Sequence, residues 1–240
     1  MRALVAAHGK TWLGALAPIA VAAKTRFARG FPAGVVVNVR TGAQLEPAVG
    51  AAEWFSVEDV AFSGPQTNHP ACAAIVCHPI MTSLRQVFGI GPQPAARIAK
   101  ADPPLPLVAL GMTGFEPAVD AIASCPGLPV LERVVIARPA WIRGMADIVE
   151  LLATPLARRL RAVVVETGTT QFELSADASG SLTKLRVTIA SPQRWEHQTV
   201  RDELAQLAAD RAITALELTL PDAPIDVTWL LGRLAPLLIR

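Results

Sequence analysis

"VVVETGTTQFELSADASGSL", residues 163–182, is the stretch on which the reading of this chain turns. Three valines run into a carboxylate, a glycine and two threonines, and a second apolar–polar alternation follows. A β-branched run of this length is a strand. Phe172, Leu174 and Ala176 fall on one side of the next segment, with Gln171, Glu173 and Ser175 on the other. That period of two predicts a strand with one buried face. Asp177-Ala178-Ser179-Gly180 predicts a tight turn, with Gly180 free to take a positive φ. "LTKLRVTIA" then answers with Leu185, Val187 and Ile189 inward and Lys184, Arg186 and Thr188 outward. Two readings of Gly168-Thr169-Thr170 stay open. One is an ordinary hairpin turn, with Gly for conformational freedom and Thr for strand propensity. The other is a nest of backbone N–H groups around a phosphate, with Glu166 orienting a magnesium-bound water.

Working downstream, Ser191-Pro192 pairs an N-cap residue with a proline at the first helical position, which predicts a helix through "WEHQTVRDELAQLAAD". A strand over 213–220 and a last helix from Asp226 complete a β-β-β-α-β-α order. Working upstream, the first 30 residues read as helical, interrupted at Pro18. Strands are predicted at 35–39, 55–63, 105–112 and 130–137. Residues 71–90 read as mainly helical with a break at Pro79, and the proline-rich stretch from 91 to 106 as an exposed connection. "EPAVDAIASC" reads as a short helix closed by Pro126-Gly127, and 141–160 as a longer one. The fold class expected is therefore α/β, with mixed sheets and flanking helices. The expected division is an N-terminal helical segment (1–33), a first α/β subdomain (34–160) and a second, β-β-β-α-β-α subdomain (161–240).

Composition narrows the function classes. The chain has 240 residues, 52% of them hydrophobic and 18% charged, so a sizeable core is expected rather than disorder. Mean hydropathy is +0.39, yet no run of about 18 apolar residues is present, which argues against a spanning helix. Net charge is +2 with scattered Lys and Arg, and Tyr is absent, so no nucleic-acid footprint or base-stacking platform is expected. Three cysteines, an odd and sparse number, suit a reducing compartment. The expected location is cytoplasmic. The alternative is export, since Ala20-Val21-Ala22 resembles a cleavage site after an apolar N-terminal stretch.

His69, Cys72, Cys77 and His78 are all metal-ligand types close together in sequence. Cys77 falls about 140° around a helix from Cys72, so the four do not converge and "CAAIVC" reads as core. No metal site is expected there. His197 beside Glu196 lacks a nucleophile, and no nucleophile elbow, Walker loop or dinucleotide fingerprint is present. Trp12, Trp54, Trp141, Trp195 and Trp229 fall near element ends, as packing anchors or as part of a protein-binding patch.

"AGVVVNVRTGAQLEPA" (33–48) echoes "RAVVVETGTTQFELSA" (161–176) with one gap. On these residues the chain resembles the actin, sugar-kinase and heat-shock-chaperone ATPase superfamily, and "VVIARPAW" (134–141) is similar to its strand-Pro element. The resemblance implies two ribonuclease-H-like subdomains with nucleotide between them. It places Asn38, Thr41 and Gly42 in a first phosphate turn and Glu166, Gly168, Thr169 and Thr170 in a second, and it implies ATP and Mg as cofactors. Asn38 replaces the family's Asp, the first turn lacks a Gly-Thr-Thr pattern, and the chain ends one strand and one helix after the second hairpin. The functional expectation is therefore a non-enzymatic scaffold or assembly accessory on a degenerate actin-like fold, with a protein partner or homo-oligomer. The alternative is an ATP-binding protein with weak or no turnover.

Overall fold

The computed structural model describes residues 2–114, 119–138, 151–167, 170–189 and 213–219. The chain is mixed α/β and divides into two compact units, Met1–Leu131 and Glu132–Arg240. This boundary falls ahead of the expected one near residue 160. The strand over Arg133–Arg138 pairs along its full length with the one over Ala162–Thr167, and so belongs with it.

Unit 1 contains α1 (Arg2–Leu13), β1 (Arg26–Ala28), β2 (Phe31–Asn38), β3 (Asp59–Ser63), α2 (Pro70–Val76), β4 (Gln86–Ile90), α3 (Pro92–Ala99), β5 (Ala109–Thr113) and α4 (Val119–Ser124). β1 and β2 form an antiparallel hairpin. From β3 onward every strand of the unit is parallel to the one before it, and the spatial order is the chain order. Helices or short 3-10 turns make each crossing.

The parallel part repeats. Val35, Val60, Val87 and Leu110 lie side by side, a period of about 25 residues, which is the spacing of leucine-rich solenoids. The same backbone hydrogen bond opens each strand: Glu58 N to Ala33 O at 2.8 Å, Arg85 N to Glu58 O at 2.7 Å and Val108 N to Arg85 O at 2.7 Å. The sequence cause is an apolar L-x-x-L-x-L pattern: Val57, Val60 and Phe62, then Leu107, Leu110 and Met112, with Leu84, Val87 and Ile90 as a copy lengthened by one residue. All nine are buried. Each repeat buries these side chains against the next, and the first is covered by Leu13, Leu16 and Ile19 from the N-terminal segment. Val21 N donates to Val36 O at 2.7 Å and so holds that segment along β2.

Unit 2 contains β6 (Arg133–Arg138), β7 (Ala162–Thr167), β8 (Thr170–Ala176), β9 (Leu182–Ile189) and β10 (Ala215–Thr219). β7, β8 and β9 form the antiparallel meander expected from the sequence. β6 lies parallel beside β7, and β10 parallel beside β9. Phe172, Leu174, Leu185 and Val187 are buried, as the alternation requires, and Gly180 has φ +85°. The helices expected after Ser191 and Asp226 lie outside the described residues, as does the first part of the one expected over 141–160. Pro155–Arg158 is a 3-10 turn.

Unit 1 corrects the sequence reading at four places. Residues 71–90 are not one helix: α2 stops at Val76, turns follow, and β4 begins at Gln86. Residues 91–106 are not merely a connection. Pro92 and Pro94 lie in the first turn of α3, where their missing N–H groups have no helical partner to lose. Residues 52–56 are a 3-10 turn, so the strand expected over 55–63 starts only at Asp59. Residues 39–48 do not return as a strand; Gly42–Gln44 and Glu46–Ala48 are 3-10 turns instead. The ribonuclease-H-like order expected of both halves is thus not the order of unit 1, whose strands beyond β2 are all parallel.

Candidate functional site

The residues expected in a first phosphate turn lie at the end of β2 and in the 3-10 turn that follows. Asn38 ends β2, half-buried, with its backbone N–H donating to Ile19 O at 2.8 Å. Thr41 is exposed and extended, and its side chain makes no capping bond. Gly42 begins a 3-10 turn and leaves room for the His69 imidazole: a Cβ at this position would overlap the ring. The missing side chain permits that close approach.

The second set lies in unit 2. Glu166 is exposed near the end of β7, opposite Gln171, and Thr170 opens β8 opposite Thr167. Gly168 and Thr169 lie outside the described residues. The hairpin itself is present, and its equivalent at 35–48 is not.

His69 is the N-cap of α2, its Nδ1 accepting from Ala71 N at 3.2 Å, and His78 Nδ1 accepts from Ile80 N at 3.2 Å. Cys72 is fully buried, and that burial pushes its thiol up to about 11, which leaves it protonated and unreactive at neutral pH. Burial also raises the Cys77 thiol. Among the described residues no three His, Cys, Asp or Glu side chains converge as a metal site.

The outward strand face of unit 1 is the surface the sequence reading missed. Asp59 and Gln86 stand together in one row, and Val36, Ala61 and Phe88 in the next. Asn38 and Ser63 lie toward the C-terminal strand ends, on the same side. The only charge among these, Asp59, is held by Arg26 at 2.9 Å; Arg26 also reaches Glu58 at 3.0 Å. Phe88 is set by two glycines. β4 carries one residue more than β5 between Val87 and Ile90, and Gly89 takes up the bulge with φ +68°. A Cβ on Gly89 would strike the Phe62 carbonyl oxygen. Beside it, Gly111 has no side chain, and a Cβ there would stand 2.6 Å from Phe88 Cδ1. The ring therefore lies across Gly111, half-buried.

No protein family, curated protein or solved structure matches the chain.

The outward face of unit 2 is chemically different. Glu173 on β8 is paired with Arg133 at 3.4 Å and with Arg186 at 3.5 Å, and Arg186 continues to Glu217 at 2.9 Å. Opposite charges alternate across the strands, and the face neutralises itself. At its edge the Asp177 carboxylate organises the β8–β9 turn. It accepts from Ser179 N at 2.8 Å, Ser179 Oγ at 2.6 Å, Ser181 N at 3.1 Å and Thr183 Oγ1 at 3.0 Å. These donors, the Ser179 hydroxyl first, draw its pKa down to about 2.

Among the described residues no helix is long and apolar enough to cross a membrane.

Proposed function

We propose that this chain is a non-enzymatic scaffold that seats a partner polypeptide on the outward strand face of unit 1. The observation that carries the reading is Phe88, turned onto that face by the Gly89 bulge and laid over Gly111. β-Bulges re-aim side chains next to binding sites, and a half-buried aromatic ring held on a sheet face is the make-up of an interface anchor. Ala61 stands beside it on β3 and Gln86 two residues before it on β4, while Val36, Asn38, Ser63 and the Asp59–Arg26 ion pair make up the rest of the face.

The strand order supports a binding role over catalysis. Open α/β sheets hold small ligands in the crevice where strand order reverses. β2 to β5 run in sequence without reversal, so unit 1 offers no such crevice.

The test compares proteins retained from a cell extract by the wild type, by Phe88→Ala and by Glu173→Ala, with melting temperatures measured in parallel. Phe88→Ala should reduce the retained partner at least tenfold, roughly the loss of 1.4 kcal/mol or more expected of an anchor. Glu173→Ala should retain it. Light scattering tells whether that partner is a second copy of the chain. Equal retention by a folded Phe88→Ala protein would overturn the proposal.

A further inference from the structure

We draw no further inference here: the strongest candidate, the hollow of about 760 Å³ between Leu152–Arg158 and the Ser179–Thr183 turn, has its Ser179, Thr183 and Thr154 hydroxyl hydrogens committed to Asp177 and to the Leu151 carbonyl and aims no unpartnered buried group at a ligand.

Discussion

Trp54 is the residue on which unit 1 leans most. It is fully buried, and its Nε1–H donates to the Ala48 carbonyl at 2.7 Å. Trp54→Ala leaves a cavity and removes one of the two hydrogen bonds to the Ala48 carbonyl, which keeps the one from Ala51 N at 3.2 Å, and should cost about 3–5 kcal/mol in urea unfolding. Trp54→Phe keeps most of the volume and loses the bond, so it should cost less. Asp177 sets a pH dependence. Its folded pKa, about 2, lies below the roughly 3.9 of an unfolded aspartate, so the turn contributes its full share above about pH 4. That share fades as pH falls from about 4 to 2. The stability gap between wild type and Asp177→Asn should therefore be widest near neutrality and close over that acid window. A gap unchanged down to pH 2 would refute the assignment. At this scale the sequence spoke clearly for inward positions such as Leu174 and Val187, because alternation reports burial directly. It gave no sign of the close approach at Gly42, whose neighbour, His69, is remote in sequence.

At the scale of elements, β4 decides how much could be read in advance. "RQVFGI" shows neither clean alternation nor an unbroken apolar run, because the bulge at Phe88-Gly89 inserts one residue and shifts Ile90 out of phase. A strand hidden in this way merges with the helix before it, and the repeat spacing disappears with it. α3 was obscured for a different reason: prolines usually signal a connection, but Pro92 and Pro94 fall where a helix tolerates them. The valine-rich β2 and β7 were legible, and so was the β7–β8–β9 meander. The two differ in their pairing: β2 lies antiparallel to β1 and parallel to β3, β7 parallel to β6 and antiparallel to β8. The bulge itself is testable. Gly89→Ala places a Cβ against the Phe62 carbonyl at a positive φ, and should lower stability by more than about 1 kcal/mol. The same change should reduce partner retention as Phe88→Ala does, since both remove the ring from its place over Gly111. A stable Gly89→Ala protein with full retention would contradict that coupling.

At the scale of the whole molecule, the order of elements pointed correctly to a mixed α/β chain and composition to a large apolar interior, and among the described residues no helix is long and apolar enough to cross a membrane. Topology was beyond both readings, since hydrophobic periodicity names elements without saying which neighbour each one pairs with. The nucleotide reading makes its own prediction at this scale. Binding to the folded state alone stabilises a protein in proportion to ligand excess, so Mg-ATP at about 5 mM should raise the melting temperature measurably if its Kd is micromolar. Under the scaffold proposal the melting curve should not move, and a saturable upward shift would favour the nucleotide reading instead. The sequential order of β2 to β5 has one last consequence. Since each strand–crossing module touches mainly the modules before and after it, a whole module can be gained or lost by tandem duplication or deletion without rewiring the remainder. The reach of unit 1 is thus open to evolutionary adjustment in steps of one module, and a partner of different length could be met by changing the count rather than by inventing a new surface.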